Sequence, residues 1–302
     1  MMQPLSNCNN EDLQKSQTGS GLQQMGAQTE PSRPIDAILK DIFCLEMVIL
    51  SFVSDNLFPG KTKSMLLSGL SLYPAEQIDK YLDTIYNNLT FVLPWQERKY
   101  KYSFLVLGFK TENDLDMSLK LMEYTSALQM HCLEDNKLFD GHIYPNIIPV
   151  VIYTGCDAWT SQENIGVMYS PISKELLEKD FVPRTSYMLI DVRNRKIRAN
   201  GKESAVLHTD SLAFQILALT SCQNFDELEK AIPIVQAAVK SMPNAEKLDA
   251  LLVEATYCLL KSFGLDNIPV CKTLEEMGIL IAENAPKWRN SLIQQGKEER
   301  EA

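Results

Sequence analysis

The stretch Lys101-Tyr-Ser-Phe-Leu-Val-Leu-Gly-Phe-Lys-Thr111 constrains the fold most. Tyr102 to Phe109 is almost continuously apolar, the pattern of a strand covered on both faces. A strand of that kind needs a layered fold, with helices above and below a sheet. A second β-rich run, Ile85–Leu93, precedes it across the turn Trp95-Gln-Glu-Arg-Lys99 and carries Asn88. Two such strands with polar groups at one edge make a platform suited to metal-dependent cleavage of phosphodiesters. That chemistry calls for carboxylates to grip the cation. The polar or bare positions on these two runs include Asn88 and Gly108, with Lys110 beyond, and none of the three is a carboxylate.

Around this pair the pattern predicts a helix over Ile35–Ser54, a short extended piece at Ser68–Tyr73 and an amphipathic helix over Asp114–Cys132, which Asn113 or Asp114 can cap. Further strands follow at Ile147–Tyr153 and Ser186–Asp191. Past a break near Asn200-Gly201 the periodicity is helical only, at Ser211–Thr220, Asp226–Ser241, Ala245–Phe263 and Leu274–Gln295. Residues 1–33 are rich in Gln, Ser, Asn and Gly and lack the apolar surface to offset their ordering entropy, so they are expected to be disordered. The expected organisation is that tail, an α/β domain over 34–200 and a helical C-terminal region over 201–302.

Several function classes are disfavoured by composition. The formal net charge of −10 works against non-specific adhesion to nucleic acid, although a local basic groove remains compatible with it. No run of eighteen apolar residues exists to cross a membrane, and the N-terminus has no secretory pattern, which together imply a cytoplasmic protein. The seven cysteines are scattered and never paired as CxxC, consistent with a reducing compartment. The three histidines have no partner at zinc spacing.

The run Ile148-Pro-Val-Val-Ile-Tyr-Thr-Gly-Cys-Asp-Ala-Trp159 resembles the "IPLVLYHGxxxW" signature of the Rpn family, the recombination-promoting nucleases or YhgA-like transposases. Asp36-Ala-Ile-Leu-Lys-Asp-Ile-Phe43 is similar to its opening "DxxFKxLF" helix, and Leu119-Lys-Leu-Met-Glu-Tyr124 to "LRLLRYM". Phe181-Val-Pro through Leu189-Ile-Asp191 resembles "YVPDxxxxLLD", and Glu76 stands where the family has an acid before its first catalytic strand. The polar end, Gln-Gly-Lys-Glu-Glu-Arg, also looks like that of many members. The resemblance implies a PD-(D/E)XK nuclease fold, a mixed sheet flanked by helices, with Mg²⁺ as cofactor and DNA as substrate. The family's motif Asp falls at Asn88, its motif Glu at Gly108 and its Gln at Lys110. D…ExQ has become N…GxK, and two negative charges that would hold Mg²⁺ are gone.

Glu112 shares the Lys110 face if the strand continues, and Glu123 lies on the helix that packs over the site in this family. Glu76, Asp79 and Asp83 are further candidates, with Glu76 a metal ligand. The bland alternative makes all five ordinary surface charges. Arg193, Arg195, Lys196, Arg198 and Lys202 form the densest basic cluster, either a clamp for DNA phosphates or a solvated hairpin. Tyr153 and Trp159 read as packing groups around a turn at Gly155, and Cys156 has no His or acid in a nucleophile arrangement.

Three functional states remain. The chain is a catalytically impaired Rpn-like protein that binds DNA or a partner without cutting. Alternatively it is an active Mg²⁺-dependent endonuclease with moved acids. Or residues 203–298 self-associate or dock a partner, with the nuclease-like core as scaffold.

Overall fold

The computed structural model describes residues 33–58, 70–73, 88–94, 102–134, 145–168, 185–199 and 202–301. The N-terminal segment up to residue 32, and Glu76, Asp79 and Asp83, lie outside them.

Seven strands form one sheet in sequence order: β1 (Ser71–Tyr73), β2 (Leu89–Pro94), β3 (Tyr102–Lys110), β4 (Asn146–Tyr153), β5 (Met188–Asp191), β6 (Lys196–Ala199) and β7 (Lys202–Val206). The central pairs β3–β4 and β4–β5 are parallel and the outer pairs antiparallel. Side chains alternate along β3 as the pleat requires. Leu105, Leu107 and Phe109 face one apolar layer, whereas Phe104 and Val106 face another. Both layers are filled, so the continuous apolar run of β3 has the cause its sequence implies.

Helix α3 (Met117–Glu134) covers the second face. Met117, Leu121, Tyr124 and Leu128 recur at helical spacing and bury against Phe104, Val106 and Val151. A hydrogen bond of 2.8 Å between the Tyr124 and Thr90 hydroxyls ties α3 to β2. The first face is covered by α1 (Ile35–Phe43), α2 (Glu46–Phe52) and the C-terminal helices α4 (Leu212–Thr220), α5 (Phe225–Lys240), α6 (Glu246–Ser262) and α7 (Leu274–Glu301).

Two elements differ from expectation. The single helix over Ile35–Ser54 is broken at Cys44–Leu45, where Leu45 is extended and opens α2. Helix α1 buries one stripe, Ile38, Leu39, Ile42 and Phe43, whereas α2 buries every residue from Val48 to Phe52. One straight axis cannot lie along the surface of the core and also enter it. A π-helical turn, Val53–Leu57, then ends the segment, with Ser51 and Asn56 bonded to the start of α4. The second difference is that the sheet continues past Asp191. The break expected near residue 200 falls within the sheet, because β6 pairs antiparallel with β7 on its far side.

Candidate functional site

The register Leu89↔Leu107 sets residue 88 opposite residue 108 across the β2–β3 ladder. Asn88 and Gly108 are therefore neighbours: a Cβ built on Gly108 would stand 3.0 Å from Asn88 Oδ1. It would also stand 3.3 Å from Met117 Cε of α3. The space in which a side chain at 108 would start is bordered by an amide and a methyl group.

A cleft of about 540 Å³ opens at this end of β3, lined by Asp36, Asn88, Lys110, Thr111, Glu112, Asp114 and Lys120 among others. Its electrostatic centre is Asp114. Lys110 Nζ donates to Asp114 Oδ2 at 2.9 Å, and Lys120 Nζ reaches both carboxylate oxygens at 2.9 Å. Burial works to raise the pKa of Asp114, but the two lysines outweigh it and hold the carboxyl below its usual value. The loop is fixed as well as charged. Asp114 O accepts from Ser161 Oγ, and Asn113 Oδ1 accepts from the backbone N–H groups of Thr160 and Ser161 at 3.1 and 3.2 Å. Asn113, expected as a helix cap, thus anchors a neighbouring loop, and Asp114 receives Asp116 N–H in a turn just before α3.

Lys40, one turn along α1 from the cleft residue Asp36, has its ammonium screened from solvent and without a hydrogen-bond partner among the described residues. Burial lowers its pKa, the Asp36 charge opposes that, and the Lys110 charge adds to the lowering. The sign then fixes a prediction. The unfolded chain binds the proton up to about pH 10.5 and the folded chain releases it earlier, so stability rises with pH between the two values. Lys40→Met should stabilise the protein by about 1 kcal/mol at neutral pH, a modest gain because half-burial leaves the charge partly screened. Urea unfolding at rising pH should show that gain shrinking. A gain that stays constant would remove the orphaned ammonium as its cause.

The other candidates are placed as follows. Glu112 lines the cleft but is exposed, and Glu123 is exposed on α3 and is not part of the cleft lining. The basic cluster lies on the β5–β6–β7 edge, and three of its members are paired with acids. Arg193 contacts Glu227 at 3.4 Å, Lys196 contacts Glu203 at 2.8 Å and Arg198 contacts Glu163 at 2.8 Å. Glu163 is almost fully buried, so Arg198 compensates an interior charge. Tyr153 and Trp159 stack edge to face, ring centroids 4.9 Å apart, and Trp159 Nε1 donates to Tyr187 Oη at 3.0 Å. They are core groups. A Cβ at Gly155 would fall 2.2 Å from Thr111 O, so only glycine fits that close approach.

Sequence reasoning missed Asp114 as a site residue, along with Asp36, Lys40 and Lys120. The one available signal was the Lys110/Asp114 spacing, and it pointed to helix capping because a strand-to-helix loop has no fixed period.

Among the described residues, the donors present do not fit the Mg²⁺ that the motif resemblance implies. Asn88 offers one neutral oxygen, Gly108 offers no side chain, and Asp114 is held by two ammonium groups that a cation would have to displace. Among the described residues no cluster of three or more His, Cys, Asp or Glu is arranged to hold a metal ion.

A mixed sheet between helical layers, with a polar cleft at the end of adjacent strands, is an α/β architecture consistent with a nuclease-like fold. A family model described as "Putative transposase, YhgA-like" matches residues 33–247, and the chain belongs to that family. No curated protein matches the chain, and no solved structure does. No described helix is long and apolar enough to cross a membrane.

Proposed function

We propose that this chain is a YhgA-like family protein that has lost metal-dependent phosphodiester cleavage while keeping the nuclease-like scaffold. One observation carries the reading. At the paired positions 88 and 108 the cleft has an amide beside a bare backbone, and the cleft carboxylate Asp114 is neutralised by Lys110 and Lys120. Catalysis through a bound cation needs negative oxygens free to ligate, and a Lewis acid that is not held cannot polarise a phosphoryl group or sharpen a water nucleophile. Lys110 then lacks the partner charges that would make it a water-orienting group.

The test is calorimetric titration of the full chain with Mg²⁺ and Mn²⁺ alongside plasmid nicking. No binding at millimolar metal and no nicking are expected. Nicking that disappears in Lys110→Ala would overturn the proposal. The relocated-acid reading has one observation in its favour, the 2.9 Å approach of Asp114 to Lys110. If it holds, Asp114→Asn abolishes nicking that wild type displays. DNA as a partner has weaker support at the β5–β7 edge, because Arg193, Lys196 and Arg198 already face Glu227, Glu203 and Glu163.

A further inference from the structure

Removing the acids from a nuclease cleft changes more than its metal affinity. Two carboxylates at 88 and 108 would repel a phosphodiester unless a cation stood between them. With Asn88 and Gly108 in those places that repulsion is reduced, and the acids a phosphate still meets beside the lysines are Asp114, Asp36 and Glu112. Lys110 comes from the end of β3 and Lys120 from the first turns of α3, yet both ammonium groups converge on one carboxylate. Their side chains remain 32% and 39% exposed. Each ammonium carries three donors, more than Asp114 can take up. The Thr111 hydroxyl and the Asn88 amide supply neutral polar groups in the same cleft, whose volume of about 540 Å³ accommodates a phosphate with its sugar.

Acids set the strength of such a site. Asp114 sits where the oxyanion of a ligand would, bridging the two amines, and its loop is pinned by Ser161 and by Asn113. Asp36 and Glu112 add negative charge at the walls, and the Lys40 charge, close enough to feel that of Lys110, opposes them.

We infer that the Lys110–Asp114–Lys120 cluster is a metal-independent binding site for the phosphate groups of nucleic acid, with Asp114 as a built-in anion that keeps its affinity low. The inference rests on the reading that this cleft no longer works through a metal, and it assigns the cleft a ligand and a control element. Asp114 acts here through the lysines, as a positioning and competing charge.

The experiment is fluorescence anisotropy of a labelled single-stranded oligonucleotide with the full chain, in EDTA and low salt. Asp114→Asn, which keeps the side chain's size, should bind about tenfold tighter than wild type, because a competing unit charge is removed beside the site. Adding Lys110→Met and Lys120→Met to that variant should erase the gain and flatten the salt dependence. Displacement of the oligonucleotide by inorganic phosphate would support recognition of the phosphate group itself. Displacement only by a dinucleotide would support recognition of the sugar-phosphate backbone. Equal affinity of Asp114→Asn and wild type would overturn the inference, and so would an affinity gain that survives loss of both lysines. Lys110→Met with Lys120→Met in the wild-type background is the second arm, should Asp114→Asn melt early by circular dichroism. It must weaken binding, and unchanged binding there also overturns the inference. Metal-dependent nicking in parallel samples would sink the proposed function alone, since all binding is read in EDTA.

Discussion

The double variant Asn88→Asp with Gly108→Glu should bind Mn²⁺ at least about tenfold more tightly than the parent chain and should begin to nick plasmid DNA. Register places the two new carboxylates side by side, one residue beyond the Leu89↔Leu107 pair and next to Lys110 on the same strand. The sterics permit it. The added Cβ meets Asn88 Oδ1 at 3.0 Å and Met117 Cε at 3.3 Å, both ends of side chains that can shift by a few tenths of an ångström. Lys110, now offered two further acids, would share its charge among three carboxylates and relax its hold on Asp114. The same variant should lose oligonucleotide binding in EDTA, since two negative charges then face the phosphate with no cation between them. Manganese calorimetry and nicking, with each single substitution as control, check both halves. A double variant that folds and yet binds no metal would mean that the amide and the bare backbone are not what the cleft lacks.

The legible part of this molecule is the part governed by periodicity. The continuous apolar run gave Tyr102–Phe109, one residue short of the strand, and the 3.6-residue repeat gave α3 and α4–α7 with ends up to six residues off. Motif spacing singled out Asn88 and Gly108, and the ladder register makes them neighbours, which the spacing alone did not say. What sequence hid depends on packing between distant segments. Nothing local says that Asp114 faces Lys120 as well as Lys110, or that Arg198 pairs with Glu163 across thirty-four intervening positions. A charge run such as 193–202 shows its own cations but not the acids that the fold brings to them. The break at Cys44–Leu45 was hidden for a related reason. Both helices carry enough apolar residues to satisfy a helical period, and only their different depth in the core separates them.

A chain ending at residue 247 should fail to fold, although that boundary is where the family match stops. Helix α6 begins at Glu246, and its inner face buries Leu248, Leu252, Ala255, Leu259 and Leu260 in the same apolar core as Ile38, Leu39 and Ile42 of α1. The two helices are direct packing partners, and Arg33 at the head of α1 is held by Glu254 at 3.5 Å. Deleting α6 and α7 uncovers α1 and also removes Met277, Ile281 and Ala285, which lie against α5 and its neighbours. At roughly 1.5–3 kcal/mol for each large apolar side chain exposed, the loss reaches the whole stability of an ordinary domain. The expected result is a fragment without a cooperative urea transition, recovered aggregated or not at all. The same packing disqualifies self-association of an isolated 203–302 piece as evidence for an assembly role. Its inner faces are apolar because they meet α1, α2 and the sheet, so they would stick together whatever the full chain does. Oligomerisation has to be measured on the intact protein, by sedimentation across a range of concentrations. If the 247-residue fragment instead melts cooperatively as a monomer near the wild-type temperature, the C-terminal helices are an added module, and an assembly role for them regains its footing.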